Sequence, residues 1–224
     1  ITSDISPLGL RGIRWSLSEP DIFLEQLRAI LRASAHGKAQ ILIPMLAQVK
    51  EIEQTFELIE QAKKQLDERG IAYNPQIRIG AMIELPAAVF ILPVFLKYFD
   101  FLSIGTNDLI QYTLGIDRAD SSVAHLYDPM HPAVLSMIYK VIHDCQEVGK
   151  SVSICGEMAG DSKLTRLLIA MGLTDFSMHA SQLLTVKREL LKSDMCKLQQ
   201  VLNKILTTYE PQVQAKLIAE LSKV

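Results

Sequence analysis

The sequence has few cysteines. Only Cys145, Cys155 and Cys196 occur among its 224 residues, and no two of them form a CxxC pair. An odd count without such a pair argues against a disulfide framework and against a cysteine zinc site. The five histidines show no HxxxH or HExxH spacing, so a histidine zinc site is not indicated either. This cysteine usage fits a reducing cytoplasm.

The sequence also lacks the glycine-rich motifs of nucleotide-binding proteins and an excess of one charge. Neither GxxxxGK[ST] nor GxGxxG occurs, and the formal net charge is -2, so nothing indicates a nucleotide cradle or a field that attracts nucleic acid or an acidic membrane. The longest apolar run, Leu85–Leu96, contains two prolines and is shorter than the roughly 18 to 20 residues of a membrane span. No basic segment followed by an apolar one opens the sequence, so a secretory signal is not indicated.

What the sequence does have is a regular alternation of short apolar runs with segments of helical period. With 49% hydrophobic and 21% charged residues, the chain can bury one sizeable core, and we expect a single domain over residues 1–224. The alternation is typical of βα units around a parallel sheet. Six strands are predicted: Gly12–Trp15, Gln40–Met45, Ile77–Glu84, Phe99–Gly105, Ser151–Cys155 and Asp175–Met178.

The pattern favours an α/β fold of the (β/α)8 TIM-barrel type. Such a barrel has eight strands in about 250 residues, so six strands predict a barrel that is incomplete at its N-terminus. The first two strands would be missing, and the polar segment Thr2–Pro7 would lead into the third. We therefore expect a fragment of a larger multidomain enzyme. Its open sheet edges would be covered by other segments or would associate with another chain.

Several residues mark where helices begin. Ser18 is predicted to cap the first long helix and Asp161 a shorter one, and Pro132 suits the first turn of another. From Met195 onward the pattern predicts two amphipathic helices broken at Pro211.

Polar side chains follow the predicted strands at the end where a barrel of this type carries its site. Glu84 ends one strand, and Asn107 and Asp108 follow the next. Carboxylates suit Mg²⁺, which takes one or two of them and completes its shell with water and substrate oxygens. The Asn107 amide and nearby backbone N–H groups can donate to a phosphate. The alternative is that these residues are structural. Glu84 would then be stabilised by a helix dipole, and Asp108 would be an ordinary helix cap with Asn107 in a turn.

Arginines near strand ends are candidates for holding an anion, because the guanidinium matches phosphate and carboxylate geometry. Arg11, Arg14 and Arg118 are the candidates, although an Arg in such a place is as often a solvated charge. Period-two alternation over a strand Gly12–Trp15 would put Arg11 and Arg14 on opposite sides. Only one of the two can then serve the site, and we select Arg11.

Cys155 ends a predicted strand beside Glu157. This position permits a proton-donor role. A buried and inert thiol is the alternative, since most lone cysteines are of that kind.

Five strings occur in a fixed order: SPLGLRGIR, IGAMIELPAA, FLSIGTNDLIQYTLGIDR, YDPMHPAVL and VSICGEMAGD. Together they resemble the successive motifs of the enzyme I family of phosphoenolpyruvate-protein phosphotransferases. The similarity extends to about Leu191, and TNDLIQYTLGIDR and ICGEMAGD are its most specific parts.

The resemblance implies a role for each matching residue. Glu84 and Asp108 match the family's Mg²⁺ ligands. Asn107, Arg11 and Arg118 match groups that hold the phosphate and carboxylate of phosphoenolpyruvate, and Asp108 is counted with these substrate-binding residues as well. Cys155 matches the acid that delivers a proton to the methylene carbon of the enolate, which gives pyruvate.

The resemblance also implies partners. In the family, phosphoenolpyruvate phosphorylates a histidine on a separate N-terminal domain, which passes the group to a histidine-containing phosphocarrier protein of the phosphotransferase system. The sequence leaves both branches of that system open, sugar transport and nitrogen regulation. Family members dimerise through the barrel. The phosphoacceptor histidine motif is absent here, as are the first strands with two further phosphate-binding arginines, so the isolated chain is not expected to complete a catalytic cycle.

Two other functions fit the same residues. A Mg²⁺-dependent lyase or aldolase that acts through a pyruvate enolate would use the same pair of carboxylates. A non-catalytic module that dimerises and senses a metabolite would bind the ligand without turning it over.

Overall fold

A computed structural model describes residues 6–221 and divides the chain into two compact units that meet in sequence after Phe101. Each unit is described by itself. The predicted segment Thr2–Pro7 lies mostly outside the described residues. The prediction of one domain over residues 1–224 stays a prediction.

The first unit contains five described helices and two described strands. They are α1 (Ile13–Ser18), α2 (Pro20–Ser34), β1 (Gln40–Ile43), α3 (Val49–Glu68), β2 (Arg78–Ile83), α4 (Pro86–Phe90) and α5 (Leu92–Tyr98). The strands pair in parallel, with Gln40 opposite Arg78 and Ile43 opposite Ala81. Apolar residues at helical spacing bury one face of each long helix: Leu24, Leu27 and Leu31 on α2, and Ile52, Ile59 and Leu66 on α3.

The strand predicted over Gly12–Trp15 is wrong, because these residues begin helix α1. Gly12 turns the chain with a φ of 55°, and Ile13 is buried while Trp15 is exposed. The apolar alternation that suggested a strand therefore belongs to a short helix with one buried side chain. The alternation argument that separated Arg11 from Arg14 falls with it.

The predicted helix starts have mixed outcomes. Ser18 does not cap α2: Glu19 occupies the cap position and Pro20 the first turn, while the Ser18 hydroxyl donates to the carbonyl oxygen of Trp15 at 2.8 Å. The other starts are confirmed. Asp161 caps its helix by accepting the N–H of Lys163 at 2.9 Å.

The second unit begins with the strand that crosses the boundary between the units, β3 (Phe101–Gly105). The remaining elements are α6 (Thr106–Leu114), a 3-10 turn (Ala124–Leu126), α7 (Pro132–Glu147), β4 (Ser151–Cys155), α8 (Glu157–Gly160), α9 (Ser162–Ala170), β5 (Asp175–Phe176), a second 3-10 turn (Ala180–Gln182), α10 (Leu183–Lys192), α11 (Met195–Leu206) and α12 (Pro211–Leu221). The two helices predicted from Met195 onward are confirmed, and the second of them begins at Pro211, where the break was predicted.

The strands β3, β4 and β5 lie side by side in that order, and β4 pairs with β5 in parallel, Ser153 opposite Asp175. The predicted α/β class with parallel strands is confirmed, with five of the six predicted strands present. Within the described residues, no helix has both the length and the apolar character that crossing a bilayer requires.

Candidate functional site

Glu84 lies at the carboxyl end of β2, in the first unit. Its side chain is only 5% exposed, and its Oε1 accepts the backbone N–H of Met45 at 2.6 Å. Met45 follows β1, so the two parallel strands deliver these residues to the same edge of the sheet. A buried carboxylate is costly unless it is hydrogen-bonded or paired. The Met45 N–H supplies one such bond.

Arg11 approaches the same edge through its neighbour Gly12. A Cβ at Gly12 would lie 2.7 Å from Cγ of Met45, so the backbone beside Arg11 packs directly on the residue that binds Glu84. Arg14 is engaged elsewhere, since its Nη1 donates to the carbonyl oxygen of Leu8 at 3.1 Å. The choice of Arg11 over Arg14 stays a prediction.

In the second unit, Asn107 lies in the first turn of α6, directly after β3. Its Oδ1 accepts the backbone N–H of Glu157 at 2.9 Å and the hydroxyl of Tyr127 at 3.5 Å. The amide oxygen thus accepts two hydrogen bonds, and the amide NH₂ group of Asn107 can act only as a donor. Asp108 follows in the same turn and is half-buried.

Cys155 ends β4, and its half-buried thiol has polar neighbours from β3. Its Sγ donates to the carbonyl oxygen of Ile104 at 3.5 Å and accepts from the Ser103 hydroxyl at 3.9 Å. The backbone carbonyl of Cys155 accepts the buried hydroxyl of Thr106 at 2.8 Å. These contacts hold the strand end and the sulfur in place.

A pocket of about 590 Å³ opens at the carboxyl ends of β3, β4 and β5. We call it the Cys155 pocket; its lining residues come from the segments that follow these three strands: Asn107, Cys155, Gly156, Glu157, Ser177, Met178, His179, Ser181 and Gln182. Asn107 and Cys155, predicted from the sequence as separate strand-end residues, therefore line one cavity.

Arg118 lies beside this pocket and faces a second cavity of about 490 Å³ that it shares with Tyr127 and Glu157. Its Nη1 is 3.8 Å from Oε1 of Glu157, and both side chains are largely exposed, at 42% and 77%. An exposed ion pair of this kind is weak. The backbone N–H of Arg118 donates to the side chain of buried Gln111 at 3.1 Å, which fixes the start of the loop.

The sequence prediction missed Tyr127, and it considered Glu157 only as a neighbour of Cys155. Burial, and then the negative charge of Glu157, raise the pKa of the Tyr127 phenol to about 12. The phenol is therefore a hydrogen-bond donor at neutral pH. The signal in the sequence was the string YDPMHPAVL, in which Tyr127 is the aromatic residue with a polar tip.

Glu84 and Asp108 are the two carboxylates that the sequence analysis predicts as Mg²⁺ ligands. Among the described residues no group of three or more His, Cys, Asp or Glu side chains is arranged to hold a metal ion. Mg²⁺ does not need such a group, because one or two carboxylates with water and ligand oxygens complete its shell. Glu84 in the first unit and Asp108 in the second each provide hard oxygen atoms after a strand.

Comparison with known families decides where the chain belongs. Residues 4–195 match the family described as PEP-utilising enzyme, PEP-binding domain. The chain belongs to this family. As a member of the PEP-binding domain family, it is 57% identical over 216 residues to the phosphoenolpyruvate-protein phosphotransferase of Cupriavidus necator, a match that covers 96% of this chain and 37% of the relative.

Other relatives of this PEP-binding domain carry the same name. The phosphoenolpyruvate-protein phosphotransferases of Mycoplasma capricolum and Streptococcus equinus are both 44% identical to it, and each match covers 89% of this chain and 35% of the relative. The chain thus spans about a third of the length of the curated relatives it matches.

Among solved structures, the PEP-binding domain resembles a citrate lyase from Burkholderia xenovorans. The TM-score is 0.55 at 20% identity, with 89% of this chain and 67% of the other covered. At this identity the likeness shows the fold alone. It agrees with the α/β class and is compatible with the predicted barrel.

Proposed function

We propose that this chain is the phosphoenolpyruvate- and Mg²⁺-binding part of a phosphoenolpyruvate-protein phosphotransferase. The observation that carries the proposal is the 57% identity, over 96% of the chain, to a relative that bears this name. The Cys155 pocket supports it, because it brings an amide donor and a thiol to one cavity with an arginine at its side.

The substrate is a small and strongly anionic molecule, so holding it is mainly a matter of placing donors and cations. Arg11, Arg118 and Asn107 are assigned to its phosphate and carboxylate oxygens. Arg118 is suited to this task, since its partner Glu157 is a weak and exposed one. An incoming carboxylate or phosphate can replace Glu157 as the partner of the guanidinium at little cost.

Glu84 and Asp108 are assigned to Mg²⁺, and Asp108 also to the substrate through that ion. When bound, Mg²⁺ would neutralise charge on the substrate oxygens while the phosphoryl group is transferred. The side chains would supply the hard oxygen ligands that this ion prefers.

Cys155 is assigned the protonation that follows transfer. As the bond from the enol oxygen to phosphorus breaks, the enolate of pyruvate forms. The S–H bond of Cys155 then breaks, the proton goes to the methylene carbon and the electron pair stays on sulfur, which regains a proton from solvent. Pyruvate is the product, and the thiol is unchanged overall.

The acceptor of the phosphoryl group is proposed to be a histidine on a separate N-terminal domain, which passes the group to the histidine-containing phosphocarrier protein. A homodimer and a cytoplasmic location belong to the same proposal. The location is supported by three cysteines that form no disulfide.

Calorimetric titration of the chain with phosphoenolpyruvate in the presence and absence of Mg²⁺ tests the proposal. We expect Mg²⁺-dependent binding that weakens by roughly tenfold or more in Glu84→Gln and in Asp108→Asn, because losing part of a metal's ligand environment costs about that much affinity. Glu60→Gln and Asp144→Asn make the same chemical changes on helices α3 and α7 and should bind like the parent chain.

Two results would contradict the proposal. The first is no detectable heat from the unmodified chain at millimolar phosphoenolpyruvate with Mg²⁺. The second is binding in Glu84→Gln and Asp108→Asn that equals binding in the two control variants, which would remove the metal assignment.

A further inference from the structure

A line of polar side chains on β3 and β4 leads to the Cys155 sulfur. Ser153 and Cys155 are two residues apart on β4, so their side chains lie on one face of the strand. The Ser153 hydroxyl donates to Oγ of Ser103 at 3.0 Å, and the Ser103 hydroxyl donates to the Cys155 Sγ at 3.9 Å. Nothing in the function proposed above uses these two serines.

Ser103 is the buried member of this line, at 4% exposure. A buried hydroxyl needs partners, because it has given up its hydrogen bonds to water. Here Ser153 is the donor to Ser103, and the sulfur is the acceptor from Ser103. The direction of the line therefore points O–H groups toward Cys155.

The thiol and the thiolate of Cys155 differ in what these neighbours offer them. The thiol donates to the carbonyl oxygen of Ile104 at 3.5 Å, and this contact favours the protonated form. Once the proton has left, the sulfur is an acceptor only, and the carbonyl offers it nothing. The O–H of Ser103 does, and a hydrogen bond to the charged form favours that form.

We propose that Ser103, held in place by Ser153, is a positioning residue that stabilises the Cys155 thiolate and so makes the thiol a better acid. The inference rests on the proposed role of Cys155 as the proton donor. The step itself is the one given above: the proton leaves for the enolate carbon, the electron pair stays on sulfur, and the Ser103 O–H bond is not broken.

Other charged groups near the thiol must be held constant in any test. Glu157 and His179 line the Cys155 pocket, Arg118 pairs with Glu157, and Asp108 lies in the first turn of α6. The ionisable side chains of the elements packed on β4 are exposed or half-buried: Lys140, His143, Asp144 and Glu147 on α7, and Asp175 on β5. Variants that differ only at Ser103 or Ser153 leave all of these groups in place.

The test measures the rate at which iodoacetamide alkylates each cysteine of the unliganded chain as a function of pH, read by mass spectrometry after trypsin digestion. Lys150 separates Cys145 from Cys155, so each of the three cysteines falls on its own tryptic peptide. The alkylation rate of exposed Cys196 is the control for the effects of reagent concentration and pH. Buried Cys145 should stay unmodified as long as the fold is intact.

For Ser103→Ala we expect the alkylation rate of Cys155 near pH 7 to fall about tenfold, as for a thiol whose pKa has risen by about one unit. Ser103→Thr keeps the hydroxyl and should restore the parent profile. Ser153→Ala should shift the profile in the same direction by a smaller factor, since it acts through Ser103.

A Cys155 profile in Ser103→Ala that matches the parent chain, with Cys145 still protected, overturns the proposal, and so does a Thr variant that behaves like the Ala variant. If Cys145 becomes reactive in Ser103→Ala, the fold of that variant is disturbed and Ser153→Ala takes its place. A Cys155 profile in Ser153→Ala that matches the parent chain then overturns the proposal. Alkylation requires neither phosphoenolpyruvate nor transfer. The acid role of Cys155 is tested separately, and full turnover by Cys155→Ser in a complete phosphotransferase would refute it. The effect of Ser103 on the thiol is decided by the alkylation rates alone.

Discussion

Replacing Gly156 by Ala should destabilise the second unit because two separate penalties meet at this position. The backbone there has φ 90° and ψ -173°, a region that is essentially restricted to glycine and costs another residue of order 1–3 kcal/mol. An added Cβ would lie 2.4 Å from Oγ1 of Thr106 and 2.8 Å from Oδ1 of Asn107. Neither approach is tolerable without movement.

The movement would break identifiable hydrogen bonds. Thr106 is fully buried, and its hydroxyl donates to the Cys155 carbonyl, so losing that bond costs about 1 kcal/mol more. We expect Gly156→Ala to lower the free energy of unfolding by about 3 kcal/mol in total, or the midpoint temperature by roughly 6–12 °C for a chain of this length. Urea and thermal denaturation followed by circular dichroism would measure it.

Substitutions at two other glycines allow the backbone penalty and the contact penalty to be measured separately. Gly149 has a φ of 68° with nothing within 4 Å of an added Cβ, and Gly37 has neither a positive φ nor a close neighbour. Gly149→Ala should therefore cost about 1 kcal/mol from the backbone alone, and Gly37→Ala should stay within about 0.5 kcal/mol of the parent. A Gly156→Ala variant no less stable than Gly149→Ala would refute the reasoning, because the contacts with Thr106 and Asn107 would then carry no weight.

Two further predictions concern charged and ionisable groups in the second unit. Arg166 is 7% exposed and donates to the carbonyl oxygen of Leu221 and to Glu189. We expect Arg166→Met to lower the free energy of unfolding by about 2–3 kcal/mol, because Glu189 keeps only the exposed Arg188, 3.6 Å away, and the Leu221 carbonyl loses this donor. A second change, Glu189→Met, should recover part of that loss; equal stability of Arg166→Met and the parent in urea would contradict this. Since burial raises the pKa of Tyr127 to about 12, its phenol should ionise well above pH 10 in a difference titration at 295 nm against Tyr127→Phe. The unfolded phenol ionises first, so the free energy of unfolding should fall between about pH 10 and 12, and less so in Tyr127→Phe; ionisation near pH 10 in the folded chain would be the contrary result.

Much of the architecture was predictable because its signals are local. Apolar runs followed by polar residues located the ends of β2, β3 and β4, and so placed Glu84, Asn107 and Cys155 correctly at strand ends. The error over Gly12–Trp15 arose because two alternating apolar residues cannot distinguish a short strand from one turn of helix with a single buried face. The hydrogen bond from the Ser16 N–H to the Gly12 carbonyl oxygen, at 3.1 Å, identifies the helix, and the sequence does not display it.

The polar partners in the site were not predictable in the same way. Tyr127 was passed over because a polar loop has no periodicity that would say which side chain turns inward. Glu157 was noticed only as a neighbour of Cys155. Its hydrogen bond to Asn107 joins residues 50 positions apart, and a sequence without the fold does not state such a pairing.

The sequence by itself determined the α/β class and the family, because periodicity and ordered motifs are properties of neighbouring residues along the chain. The tertiary structure decided which groups touch: Ser103 on the sulfur of Cys155, Glu157 on Arg118, and Gly156 against Thr106. Hydrogen bonds and close contacts depend on distances of a few ångströms between distant segments, and only the packing of strands and loops sets those distances.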